Sequence, residues 1–191
     1  MSKIRTFIAI EIPTEIQDKI GELQNSLKGI GGRISWTKPG NIHLTLKFLG
    51  DTDEKIIDEI ATELQQAVQK IEGFNISFQG TGVFPNFKRP RVIWVAAKSE
   101  GDQLEELAAQ IEDCMKNFGY EKENRRFSAH LTLGRVKDTK GIEPIMEKLR
   151  SYEEFVAGNF SVKEFYLIKS ELHPAGSIYT PLKKIDLNDL Q

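Results

Sequence analysis

A single cysteine, three histidines and no long apolar run are what this chain of 191 residues has least of. The lone Cys114 rules out an internal disulfide. It falls on an apolar helical face with Leu104, Leu107, Ile111 and Phe118, where a buried thiol is expected because no electropositive neighbour lowers its pKa. No stretch approaches the roughly 18 apolar residues of a membrane span, and the N-terminal stretch lacks a basic start followed by an apolar core. A soluble, cytoplasmic protein is therefore expected. Excess charge is missing too: 26 basic residues face 28 acidic ones, and the isoelectric point is near 6.0. Global attraction to nucleic acid is excluded, so any polyanion must be held by a local patch. Low-complexity segments and linkers are also absent, which favours tightly packed lobes over tethered domains.

What is present is an ordered alternation of strands and helices. Residues 3–12 read as a strand that stops at Pro13. Thr14 and Gln17 then form a capping-box pattern, followed by Ile16, Ile20, Leu23 and Leu27 at helical spacing up to Gly29. Residues 33–38 and 41–49 are strands separated by a Pro39-Gly40 turn. A second helix opens at Thr52 or Asp53 and runs to Gly73, and residues 74–79 alternate as a strand. The same order then recurs, with strands at 91–97, 126–136 and 160–169 and helices at 102–118 and 143–150. A last strand, 177–187, pairs with its predecessor across His173-Pro174-Ala175-Gly176. The fold class expected is α+β: one domain over 1–191, duplicated and bilobal, each lobe an antiparallel sheet with helices on its outer face and a cleft between. The lobe-forming repeats are 3–83 and 91–170.

Two of the histidines open the same tetrapeptide, His-Leu-Thr-Leu, at His43 and at His130. In a strand this puts His and Thr on one face and both Leu on the other. Histidine offers both protonation states near neutrality, and the Thr hydroxyl can donate to an anionic oxygen. One such pair on either side of a tetrahedral phosphate suits displacement at phosphorus: one His deprotonates water and the other protonates the leaving alkoxide. Each transfer contributes roughly 10² to 10⁴ in rate. A single His in an apolar strand is more often a hydrogen-bonded core residue. The duplicated motif on the face opposite the Leu pairs argues against that here.

These motifs, together with Arg5 to Ile10, Asn41 to Gly50, Phe84-Pro85, Arg89 to Trp94 and His130 to Val136, resemble the 2H phosphoesterase superfamily, and within it the RNA 2′,3′-cyclic phosphodiesterases, also called 2′-5′ RNA ligases. The resemblance spans nearly the whole chain. It implies hydrolysis of RNA 2′,3′-cyclic phosphate ends to 2′-phosphates without metal or other cofactor, and in some members reversible 2′-5′ RNA ligation. By this resemblance His43 is the proton donor to O3′, His130 the proton acceptor for water, and Thr45 and Thr132 bind phosphate oxygens. The partner implied is an RNA bearing a cyclic phosphate end, acted on by a monomer with no obligate protein partner and no membrane.

Other residues are weighed beside these. Strict alternation puts Lys47 on the His43 face, where it either steadies phosphate charge or is a solvated strand-end lysine. Arg135 falls on the wrong face by alternation, and a bulge at Gly134 would turn it back towards phosphate, a role the resemblance supports. Lys88-Arg89-Pro90-Arg91 and Arg125-Arg126 are local basic clusters for an RNA backbone. Phe7, Trp36, Phe84, Phe87 and Tyr179 are candidate stacking surfaces, of which Phe7 and Phe84 are favoured by the resemblance. His173 reads as an exposed turn residue. Three rival functions stay open: a metal-dependent hydrolase, for which neither motif carries a further ligand at usual spacing; an RNA-end binding module without turnover; and a phosphodiesterase for small cyclic nucleotides.

Overall fold

β-Branched and aromatic residues in alternation build most of this molecule, and a computed structural model describes residues 2–174 and 176–188. Among them nine strands form one sheet. In chain order the elements are β1 (Lys3–Glu11), α1 (Thr14–Leu27), β2 (Arg33–Trp36), β3 (His43–Asp53), α2 (Ile57–Ala67), β4 (Phe74–Phe84), β5 (Val92–Ser99), α3 (Gln103–Lys116), β6 (His130–Asp138), α4 (Glu143–Arg150), β7 (Val156–Val162), β8 (Glu164–His173) and β9 (Gly176–Asp186). The strand order is β7-β4-β5-β6-β3-β1-β8-β9, with β2 added against β6. Ala175, in the hairpin turn that the sequence marks, lies outside the described residues.

The two halves, β3-β1-β8-β9 and β6-β5-β4-β7, repeat one order about the β3–β6 junction. They do not coincide with the repeats 3–83 and 91–170. β4 ends the first repeat but pairs with β5 and β7, while β8 ends the second and pairs with β1. The physical reason is local: β4 and β5 are joined by one short loop and close as an antiparallel neighbour pair. The open edge of β1 is then filled by β8, so each repeat lends its last strand to the other half.

All four helices cover one face. Ile20 and Leu23 of α1, Ile60 and Leu64 of α2, Leu107 and Ile111 of α3 and Leu149 of α4 share one buried cluster with Ile8, Leu44, Ile93 and Leu131 of the sheet. On the opposite face a small second cluster holds Phe7, Ala9 and Ile168, flanked by Tyr166 and Tyr179. That face carries both histidines.

Several boundaries differ from the sequence expectation. The strand expected at 160–169 is two strands, β7 and β8, split at Lys163 and pairing in different halves. Thr52 is no helix cap. It is buried, bonded to Thr6 and to the Tyr120 hydroxyl, and extends β3 along β1, while Asp53 accepts from the Lys55 N–H as the cap. The capping box at Thr14 and Gln17 does not form either: Pro13 is the N-cap, and the Gln17 amide donates to the Ile12 carbonyl. Residues 126–129 run into β6 without joining it.

Candidate active site

The first imidazole is held by its own strand entry. His43 Nδ1 donates to the Asn41 carbonyl at 2.8 Å, which leaves Nε2 free for chemistry. Phe7 lies tilted against the ring at 4.7 Å, and Tyr179 meets it edge-on at 5.1 Å. Burial among these rings drives the His43 pKa from 6.5 to about 4, against the opposing pull of the Asn41 carbonyl. The second imidazole repeats the arrangement. His130 Nδ1 donates to the Ser128 carbonyl at 2.6 Å, and Phe84 stands edge-on at 5.0 Å. Burial lowers its pKa; the Ser128 carbonyl opposes this, and the charge of Arg135 lowers it further.

β3 and β6 touch through one antiparallel pair, Leu44 with Leu131, both fully buried. Carrying that register one residue either way sets His43 across from Thr132 and Thr45 across from His130. Cross-strand neighbours stand about 5 Å apart. Four side chains thus form a square on the face opposite the Leu residues, with an imidazole at each of two diagonal corners and a hydroxyl at each of the others.

Both motif strands then bulge at equivalent points. Along β1 and β3 the register passes from Ala9–Thr45 to Ile8–Lys47, so Leu46 is extra. Along β5 and β6 it passes from Trp94–Thr132 to Ile93–Gly134, so Leu133 is extra. Each bulge turns the fifth residue after its His back to the His face. Arg135 therefore lies on the His130 face, with the extra residue at Leu133 instead of Gly134. Gly134 has no room for a side chain: a Cβ there would sit 2.8 Å from Ile34 and 3.2 Å from the Ser35 carbonyl. The Leu133 carbonyl accepts from Thr37 N–H at 2.9 Å, just beyond the β2–β6 pairing, and from the buried Gln24 amide at 2.8 Å.

The same device overturns the reading of Lys47. The extra Leu46 rotates it to the helix face, where it is 2% exposed and bonds Glu112 at 2.8 Å and the Glu121 carbonyl at 3.1 Å. It does not reach the square. In its place Phe48 comes to the His face, 57% exposed and 6.1 Å from Phe7. Phe48 was missed, yet the five-residue offset accepted for Arg135 yields Phe48 when counted from His43.

A model described as the 2′-5′ RNA ligase superfamily matches residues 13–174. The chain belongs to the 2′-5′ RNA ligase superfamily. Superfamily relatives named RNA 2′,3′-cyclic phosphodiesterase include one from Archaeoglobus fulgidus, 36% identical over 94% of this chain and 98% of its own. Another, from Methanocaldococcus jannaschii, is 35% identical over 95% of this chain and 99% of its own. Among solved structures, TT0787 of Thermus thermophilus superposes with a TM-score of 0.81 at 27% identity, covering 98% of this chain and 100% of that one. E. coli LigT complexed with 3′-AMP gives 0.77 at 26% identity, covering 97% and 99%.

In this superfamily member the remaining candidates divide clearly. Tyr179 and Phe84 border the square, whereas Phe7 is 3% exposed and spends its ring on His43, so it is a support and not an open stacking surface. Phe87 stacks under Arg150, and Trp36 packs against the main core. Trp94, across from Thr132, lies against Phe84 at 5.0 Å, and its indole N–H is buried without a partner among the described residues. Lys88, Arg89, Arg91, Arg125 and Arg126 are exposed near the two ends of β6, and His173 is exposed at the end of β8. Cys114 is buried, and burial raises its pKa, the state of an unreactive thiol. Among the described residues no group of three His, Cys, Asp or Glu side chains is placed to hold a metal, and no helix is long and apolar enough to cross a membrane.

Proposed function

We propose that this protein opens RNA 2′,3′-cyclic phosphate ends to 2′-phosphates by paired acid and base catalysis, without a metal. The observation that supports the reading is the shared β3–β6 register at Leu44 and Leu131, from which the two His-Thr pairs fall diagonally across from each other on one face of the sheet. The names of the Archaeoglobus and Methanocaldococcus relatives support the substrate class.

In this reading His130 Nε2 takes a proton from water as the water oxygen bonds to phosphorus. The bond from phosphorus to O3′ breaks, and His43 Nε2–H delivers a proton to that oxygen. Arg135 disfavours a protonated His130 before the reaction, which suits a base. The anionic phosphodiester, once bound, raises the His43 pKa and lets it carry the proton it must give. Thr45 and Thr132 donate to the non-bridging oxygens, and Arg135 offsets their charge. In this reading the working form is a cytoplasmic monomer that meets RNA ends without an obligate protein partner.

The test is an oligoribonucleotide with a 2′,3′-cyclic phosphate, incubated in EDTA, with the product isomer identified. A 2′-phosphate is expected, and His43→Ala and His130→Ala should each slow turnover at least about 100-fold while circular dichroism stays native. A 3′-phosphate product would reverse the assignment of the leaving oxygen. Tight binding without turnover would make the protein an RNA-end binding module.

A further inference from the structure

A cleft of about 210 Å³ adjoins His43 on the side away from β6, between the end of β1, the start of α1 and β9. Ile168, Tyr179 and Pro181 give it apolar walls, and Glu11, Gln17 and Asn41 bring its polar groups. Glu11 pairs with His43 in the β1–β3 register, so the two side chains share a face. The Gln17 amide gives one of its two N–H groups to the Ile12 carbonyl at 2.9 Å, and Asn41 gives one of its two to the Ser177 carbonyl at 2.7 Å. Both amides therefore keep their carbonyl oxygens unengaged among the described residues. The Glu11 carboxylate makes no hydrogen bond or ion pair among them either, and when ionised it can only accept. Of the three, only the Glu11 carboxylate is purely an acceptor, while each amide keeps its carbonyl oxygen and one N–H.

In-line displacement fixes what lies here. Water enters opposite the departing O3′, so the ribose bearing O3′, and the base attached to it, sit on the side of the acid. That acid is His43 in the reading above, on which this inference rests.

We propose that the cleft receives the terminal nucleobase and that Glu11 selects guanine. Guanine alone offers two adjacent donors, N1–H and N2–H₂, to a carboxylate. Adenine and cytosine place a ring acceptor beside their amino group, and uracil flanks its one N–H with two carbonyls, which the Glu11 carboxylate repels. Partial burial, and then the charge of Glu164, raise the Glu11 pKa, a penalty that two donated hydrogen bonds would relieve.

Four oligonucleotides identical but for a terminal G, A, C or U cyclic phosphate test this through kcat/KM. The native protein should prefer the G end over the U end by about tenfold or more. Glu11→Ala should bring that ratio towards one. Glu11→Gln, which keeps the shape but turns one acceptor into a donor, should also lower it. Turnover of the U end by the same preparations shows that the variants are folded. Equal rates on all four ends in the native protein, or an intact G preference in both variants, overturn the proposal. If the native protein opens none of the four, the cyclic phosphodiesterase reading itself falls, and this one with it.

Discussion

Each imidazole gives its Nδ1 proton to a carbonyl two residues upstream and loses basicity to burial, so both are neutral in the free protein at neutral pH. The sign of the pH dependence follows. The proposed mechanism needs His130 neutral and His43 protonated, and that population peaks between the two pKa values, both below 6.5. The kcat/KM profile should therefore be a bell with its maximum acid of about pH 6.5. Bound phosphate raises both values, so the kcat profile should lie at higher pH. Initial rates across the acid range check this, and a kcat/KM maximum well above neutrality would remove the paired assignment. At the same scale, Phe48 and Arg135 occupy equivalent positions after their bulges, one an exposed ring and the other a guanidinium. That difference gives a pseudo-symmetric site a polarity: charge beside His130, the proposed base, and an apolar surface along the strand of His43, the proposed acid.

Among the elements, the bulges of β3 and β6 set which side chains the site receives, and buried polar groups hold their surroundings. The Gln24 amide of α1 spans the carbonyls of Thr37 and Leu133 at 2.7 and 2.8 Å. Lys47 pins the segment after α3 to β3, through Glu112 and the Glu121 carbonyl, and Glu112 also accepts from Glu123 N–H at 3.3 Å. That segment leads through Arg125 and Arg126 into His130. Removing one partner of a buried ion pair strands the other. Lys47→Met should cost about 3 to 5 kcal/mol, and Lys47→Met with Glu112→Leu should recover most of it. Urea unfolding of the two variants checks both, and equal losses in the two would show that the pair stabilises by attraction more than by avoiding a stranded charge. The alternation of β3 was legible in the sequence up to Thr45 but not beyond, because an extra residue in a ladder leaves no mark on composition. For that one reason alternation assigns Lys47 to the His face and Phe48 to the other, the reverse of their places in the fold.

For the molecule as a whole, 26 basic against 28 acidic residues give no general attraction to RNA. The Lys88, Arg89 and Arg91 loop and the Arg125-Arg126 pair are exposed near the two ends of β6, with Arg135 exposed on it, and we propose that they hold the backbone of a longer RNA. The KM for an oligonucleotide should rise steeply with salt between about 50 and 200 mM, and that for a cyclic mononucleotide much less. Replacing Arg125 and Arg126 by Ala should flatten the oligonucleotide slope; a slope unchanged in that variant would take the pair out of the RNA path. The sequence by itself determined the paired His-Thr motifs, the faces of their strands up to the bulges and the order of helices and strands apart from the split at Lys163, because these follow from local periodicity along the chain. Only the tertiary structure decided that the repeats exchange their last strands, that β3 meets β6 at Leu44 and Leu131, and that Phe48 and not Lys47 faces the site. Strand pairing and bulge position are settled by which distant edge offers free hydrogen bonds and a core to cover, and local periodicity does not encode that choice.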